Sequence, residues 1–485
     1  MSNIELTEEQ KIILLAEPTK AAPLKVTAFT GTGKTFTLER YAKLRPRAKM
    51  LYVAYNKSIQ QEAERKMPTN VQSRTVHSIA FGKVGRLYKE KLGNLKVGDL
   101  MRFFKLDNYQ IAYCINEVLK VFMASADYSL SREHITKSVR ALIGTQQDDR
   151  LLDHVSTAWD KIISTTDFDL CMPHDGYLKL FHLQEHRVNS DFILVDEAQD
   201  ITPVMRDIFW KQQARKVVVG DPHQAIYQWR GSINALDHVI TESGLDLTLS
   251  QSFRFGPAIA EVATNLLKAT KGETRSIKGN PELDTKLLLN DDLKNDSRTL
   301  LCRGNSQVFE VASERASSGK RIAFIGGAEG YRLQLLLDVL ALRREEHGII
   351  KNPFVRSFKE FEDLKNFANE TEDNEIIFAC EKVEIYGIEI KDRVRDIRNA
   401  ETSVKNAQLI FSTVHKAKGL EWDYVHLAED LEKGIQAHLA DPRKYSRPHE
   451  EVNVIYVALT RGIQRVSCTS FLKKFARFGW KVNEV

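Results

Sequence analysis

The run Val26-Thr27-Ala28-Phe29-Thr30-Gly31-Thr32-Gly33-Lys34-Thr35 gathers the residue types that hold a nucleotide's phosphates. An apolar β-type stretch leads into a glycine-bearing turn with Ala28 in the first glycine position of the P-loop pattern, and Phe36 to Ala42 reads as the start of a helix. Backbone N–H groups from Gly31 through Thr32 and Gly33 to Thr35, at a helix N-terminus, can surround a β-phosphate. The Lys34 ammonium then reaches the β/γ oxygens and the Thr35 hydroxyl ligates Mg²⁺, so ATP and Mg²⁺ are the expected cofactors. Downstream, Asp196 and Glu197 stand directly after the apolar run Phe192-Ile-Leu-Val195. Phosphoryl transfer to water needs one acid to hold Mg²⁺ and one to orient or deprotonate the water, and Asp196 and Glu197 fill those roles. Tyr227, Trp229 and Arg230 form an aromatic and cationic group able to stack bases and hold phosphates, the lesser alternative being that the rings fill a core.

These groups need rigid strand ends to carry them. Apolar runs at 50–55, 71–74, 192–195 and 216–219 alternate with helical segments, which argues a parallel sheet covered on both faces, with active residues at the strands' C-terminal ends. Thr7 with Gln10 three residues on marks a helix start before the first strand. A second αβ unit is expected to open at Leu245–Leu249 and to include 298–302, 321–325, 407–412, 424–427 and 465–469. The predicted fold class is therefore α/β: two P-loop-type units with parallel sheets, each interrupted by a mostly helical insertion. The boundaries read as 1–78 and 190–244 for the first unit with 79–189 inserted, and 245–329 and 401–485 for the second with 330–400 inserted.

At 485 residues the chain is too long for one core. Its net charge of +5 permits a polyanionic partner without demonstrating one. The 5 cysteines are scattered, with no CxxC and no clustered histidine, which argues against a zinc site or a disulfide framework. No apolar stretch approaches a membrane span and the N-terminus lacks a signal-peptide form, so no membrane is expected. A cytoplasmic protein follows, nucleoid-associated in a bacterium or nuclear in a eukaryote.

The ordered series of short motifs resembles the UvrD/Rep-like branch of superfamily 1 DNA helicases. It comprises Leu6 to Gln10, the P-loop, Ala54-Tyr-Asn-Lys57, Thr75-Val-His-Ser78, Asp196-Glu-Ala-Gln-Asp200, Gly220 to Gly231, Leu249-Ser-Gln-Ser-Phe-Arg254, Thr413-Val-His-Lys-Ala-Lys-Gly-Leu-Glu421 and Val454-Ile-Tyr-Val-Ala-Leu-Thr-Arg461. The P-loop wording looks most like the F-box DNA helicase sub-branch, although no candidate F-box segment precedes it. The resemblance implies two RecA-like motor domains. It gives Gln10 the adenine, Gln224 the sensing of the γ-phosphate, Arg254 and Arg461 the part of arginine fingers from the second unit, and Glu421 the ribose. Phe36 stands where many bacterial members have an arginine, which implies base contact by stacking. Asn56, Thr75, His77 and Lys416 are expected as DNA-backbone contacts at strand ends facing the same cleft. The second insertion is much shorter than the corresponding domain of larger members.

The expected activity is an ATP-dependent translocase or helicase moving 3′ to 5′ on single-stranded or partly duplex DNA, with a possible protein partner in repair, recombination or defence. The alternative is an ATP-switch subunit of a nuclease complex that signals without net translocation. Trp229→Ala is expected to weaken single-strand binding by about 1–3 kcal/mol and to lose DNA stimulation while basal ATPase persists, as read by fluorescence anisotropy and a coupled ATPase assay. Unchanged affinity with a lowered melting temperature would assign Trp229 to the core instead.

Overall fold

The computed structural model describes residues 5–54, 57–228, 231–242, 244–289, 298–371, 373–432 and 448–468. Two six-stranded sheets form, and every strand pairing in both is parallel. The first contains β1 (Leu24–Ala28), β2 (Met50–Ala54), β3 (Val71–Thr75), β4 (Phe192–Val195), β5 (Arg215–Gly220) and β6 (Asp246–Leu249) in the order β3-β2-β4-β5-β1-β6. The second contains β7 (Lys286–Leu289), β8 (Arg298–Cys302), β9 (Ile322–Phe324), β10 (Leu409–Thr413), β11 (Trp422–Leu427) and β12 (Gly462–Cys468) in the order β7-β12-β11-β8-β10-β9. Central strands such as β2, β4 and β8 are buried along their whole length, which is why they read as continuous apolar runs rather than alternations.

One expected boundary is corrected. The run Leu245–Leu249 does not open the second unit; it closes the edge of the first sheet, where Val26 pairs with Leu247 and Ala28 with Leu249. The Lys25 and Phe29 amides donate to the Leu245 and Leu249 carbonyls, so the edge of β1 that carries the P-loop has its backbone partners only once β6 is in place. The strand β7, absent from the sequence reading, forms the edge of the second sheet beside β12.

Each sheet has an apolar layer on both faces. One face of the first sheet packs into the helices between Val76 and Leu183, with Val53, Ile193 and Val195 in the same cluster as Val118, Val155 and Phe181. Its other face covers the helix Lys34–Lys43 through Leu38 and Tyr41. The second sheet shares one cluster with the helices between Leu333 and Ala400. Its other face packs on the helices Pro257–Lys271 and Pro448–Leu459, and this cluster also takes in Phe29 and Ile226 from the first unit. The insertions touch each other as well, Tyr113 lying 5.0 Å ring to ring from Phe354. Among the described residues no helix is long and apolar enough to cross a membrane.

The loop that follows β6 is fixed by a close backbone approach. A Cβ on Gly256 would stand 2.0 Å from the Leu283 carbonyl oxygen, and one on Gly279 would stand 2.4 Å from the Gly256 backbone. Since backbone on both sides cannot yield as a side chain can, Gly256→Ala is expected to destabilise the fold by about 1–3 kcal/mol, measured by urea denaturation. An unchanged midpoint would show that the loop relaxes freely.

Candidate active site between the two sheets

The P-loop follows β1 directly. Gly31 and Gly33 adopt φ of 72° and 76°, the left-handed region in which a side chain is strained. Gly31 is also crowded from the far side of the cleft, because a Cβ there would meet Ser252 Oγ at 2.6 Å. Thr32 turns its hydroxyl inward to the Phe29 carbonyl at 2.7 Å, leaving the loop's outward face to backbone amides. Lys34 Nζ lies 3.0 Å from Glu197 Oε1, and the Thr35 hydroxyl donates to Asp196 Oδ2 at 3.3 Å. Asp196 also accepts the Tyr52 hydroxyl at 2.6 Å and the Glu197 amide at 2.9 Å. Glu197 has φ of 52°, a left-handed conformation costing a non-glycine residue roughly 1–3 kcal/mol. That turn lets Lys34 and Gln199 grip its carboxylate, Gln199 at 2.5 Å.

Burial opposes charge throughout this cluster, and the partners decide the outcome. At Lys34 burial works against the ammonium, but Glu197, Asp196 and Asp221 together raise its pKa. At Glu197 burial is overcome by Lys34 and Lys418, which hold the carboxyl down at about 2. Asp196 is raised by burial and by the neighbouring Glu197 charge. A divalent cation would relieve that last conflict. The Asp196 carboxylate and Thr35 hydroxyl are hard oxygen donors meeting at 3.3 Å, the one-carboxylate set that suits Mg²⁺ held jointly with phosphate oxygens.

Groups from beyond β6 reach across to this loop. Arg254 donates to Thr30 Oγ1 at 2.9 Å and to Glu421 Oε2 at 2.6 Å. Arg461 is buried, donating to Thr30 Oγ1 at 3.0 Å and to the Val457 and Leu420 carbonyls. Gln224 Nε2 donates to Asp221 Oδ2 at 2.8 Å, and the Gln224 backbone carbonyl accepts Lys418 Nζ, which also pairs with Asp200 at 2.5 Å. Gln10 is buried; its amide oxygen closes a capping box with Thr7 and its nitrogen donates to Thr37. Thus Lys34, Thr35, Asp196, Glu197, Gln224, Arg254, Arg461 and Glu421 join one bonded cluster, with Gln10 and Gly33 at its rim. Phe36 places its ring under Arg40 of its own helix, 4.9 Å from the guanidinium carbon.

Residues expected on the DNA side are engaged elsewhere. The Thr75 hydroxyl caps the helix Val76–Lys83, and His77 meets Asp175 at 2.9 Å. Tyr227 donates its hydroxyl to the His415 carbonyl at 2.8 Å. Lys416 donates to the Gly330 carbonyl and lies 3.6 Å from the Tyr331 ring centre. Asn56, Trp229 and Arg230 lie outside the described residues.

Several members of the cluster were missed. Phe253, 45% exposed, sits beside Gln10 at the rim, its ring 3.8 Å from where a Gly33 Cβ would be, so it is the half-open aromatic that a base can lie against. Its place directly before Arg254 was the available signal. Lys418, Asp221 and Tyr456 lie inside motifs already quoted, whereas Tyr52 hides inside the strand β2.

A phosphate-binding loop and its acids on one parallel sheet, faced by two arginines carried beyond β6, define a two-domain P-loop fold of the RecA-like type. Residues 10–230 match the family described as an AAA domain, and residues 350–471 match the UvrD-like helicase C-terminal domain. The chain is thus similar to the UvrD-like helicases. It is 32% identical to F-box DNA helicase 1 of Gallus gallus, over 95% of this chain and 48% of that protein. It is also 32% identical to F-box DNA helicase protein 1 of Schizosaccharomyces pombe, over 97% of this chain and 58% of that protein. The chain therefore spans about half the length of these relatives.

Burial pushes the Asp200 carboxyl up to about 6 against the pull of Lys418. With its pKa raised, the folded chain holds this proton more tightly than the unfolded chain does. Its contribution to stability therefore grows as pH falls through about 6 toward the ordinary carboxylate range, and is lost again as pH rises. The stability of the wild type relative to Asp200→Asn is expected to rise by up to about 2–3 kcal/mol on that descent, read from denaturation midpoints. A difference that stays flat with pH would remove the shift.

Proposed function

We propose that this chain is an ATP-driven motor on single-stranded DNA, moving 3′ to 5′ and coupling hydrolysis to duplex unwinding or protein displacement. The observation that carries the reading is the meeting of Arg254 and Arg461 on the P-loop residue Thr30, within one hydrogen-bonded cluster with Lys34 and Glu197. Guanidinium groups supplied from a second body stabilise charge on a transferring phosphoryl group only when the cleft is closed.

The ground-state pairs indicate the sequence of events. Lys34, now held by Glu197, exchanges that carboxylate for the β/γ oxygens of ATP. Released from the ammonium, Glu197 loses one of the two cations that keep it acidic and becomes a better acceptor for the proton of an attacking water. Thr35 and Asp196 would hold Mg²⁺, which neutralises charge between the β- and γ-phosphates when bound. Gln224 sits where a γ-phosphate can be read, and its neighbour Tyr227 is tied to the His415 carbonyl in the second unit, so the sensor and the expected DNA face are mechanically continuous. Phe253 stacks the base, and Gln10, fixed by Thr7 and Thr37, presents its remaining amide hydrogen-bonding capacity to it.

ATPase measured against oligodeoxynucleotides of increasing length tests the motor. A translocating enzyme hydrolyses more ATP per encounter on longer strands, whereas an ATP switch gives a rate that ignores length beyond the footprint. Lys34→Ala is expected to abolish hydrolysis with the melting temperature retained; turnover close to the parent would sink the P-loop assignment. Affinity for DNA is expected to fall steeply with salt as phosphate contacts release counterions, and a flat salt response would argue against backbone binding.

A further inference from the structure

Thr30 lies between β1 and the P-loop glycines, and neither the phosphate-binding pattern nor the motif series gives it a part. Three hydrogen bonds from groups carried beyond β6 end on this one residue. Its amide donates to the Tyr456 hydroxyl at 3.1 Å, and its hydroxyl oxygen accepts Arg254 Nη1 at 2.9 Å and Arg461 Nη2 at 3.0 Å. Thr30 is 1% exposed, so water does not share these contacts.

The three partners come from separate places. Tyr456 is on the helix Pro448–Leu459, Arg461 is just past that helix, and Arg254 is in the loop after β6. Tyr456 also donates to Asp221 Oδ2, the same oxygen that accepts Gln224 Nε2, so the contact at Thr30 continues into the phosphate sensor. Two like-charged guanidinium groups on one neutral oxygen repel each other. Without the hydroxyl, Arg254 keeps Glu421 and has a reason to swing toward it, while Arg461 Nη2 keeps only Thr460 Oγ1 at 3.3 Å.

We infer that Thr30 is a positioning residue that registers the second motor unit on the P-loop and holds Arg254 and Arg461 side by side where the transferred phosphoryl group will stand. The inference rests on the reading of the site as an ATPase. A hydroxyl fits the task because it accepts from both cations while they wait and yields them to a stronger, anionic acceptor when phosphate arrives. Its effect belongs to the transition state, since the ground-state phosphates are already held by loop amides and Lys34.

The test compares wild type, Thr30→Val, Thr30→Ser, Arg461→Ala and the Thr30→Val/Arg461→Ala double variant. Valine keeps the branched shape and removes the acceptor; serine keeps the acceptor. Turnover of Thr30→Val is expected to fall about 10-fold or more, with affinity for a fluorescent ADP analogue within about 3-fold. Thr30→Ser is expected to restore turnover. The double variant is expected to lose less than the product of the two single losses, because the hydroxyl acts in part through that arginine and in part through Arg254. The ratio of affinities for ADP with aluminium fluoride and for ADP alone is expected to drop in Thr30→Val and recover in Thr30→Ser. Wild-type turnover in Thr30→Val, a loss that serine fails to restore, or an undiminished aluminium fluoride ratio would each overturn the inference. A wild type without DNA-stimulated turnover would instead sink the motor reading, and the aluminium fluoride ratio would still decide Thr30.

Discussion

A guanidinium group cut off from water and given only neutral oxygens is the constraint around which this site is arranged. Arg461 is buried, and among the described residues it meets the carbonyls of Val457 and Leu420 and the hydroxyls of Thr30 and Thr460 but no carboxylate. Burial, reinforced by the Arg254 charge, pushes its pKa down to about 9 against the opposing pull of Tyr456, Glu197 and Glu421. Two ammonium groups nearby do have carboxylate partners: Lys34 with Glu197 and Lys418 with Asp200. A buried cation with no carboxylate in hydrogen-bond reach is costly. This side of the cleft therefore suits an anion able to accept from Arg461 directly.

The grouping of candidate residues on the first sheet was legible because it is local. Gly31, Gly33, Lys34 and Thr35 are contiguous, and Asp196 and Glu197 end a strand, so spacing along the chain already implies proximity. The helix that carries Gln10 announced itself through a capping box that the structure contains. What was not legible is pairing across long separations. Nothing in Asp246-Leu-Thr-Leu249 states which sheet the strand joins; that is settled by the open edge of β1 and by burial of Leu249. Lys418 and Tyr456 sit in recognisable motifs, yet their partners Asp200, Gln224 and Asp221 are on another body, and no periodicity encodes that.

The residues expected to meet DNA show a related limit. Thr75, His77, Tyr227 and Lys416 all lie at strand ends or just beyond them, as the parallel-sheet rule requires, but each already has a protein partner. A side chain that caps a helix or holds a carbonyl can still present a remaining face to a phosphate, and the Lys416 ammonium, over the Tyr331 ring and donating to the Gly330 carbonyl, has further donor capacity. Residue type identified the neighbourhood of these groups. It did not identify which of their bonds are structural.

The contact between the two insertions has a mechanical consequence. One insertion shares a continuous apolar layer with the first sheet and the other with the second, so each moves with its own sheet. They meet at Tyr113 and Phe354, far along the chain from the Arg254 and Arg461 contacts on Thr30. Two bodies that touch in two separate regions form a closed linkage. If the aromatic contact persists, it acts as a pivot, and the relative motion left to the sheets is rotation about it rather than free separation. The P-loop end of the cleft then travels along an arc whose radius is the distance to that pivot, so a small angular change becomes a larger displacement at Thr30.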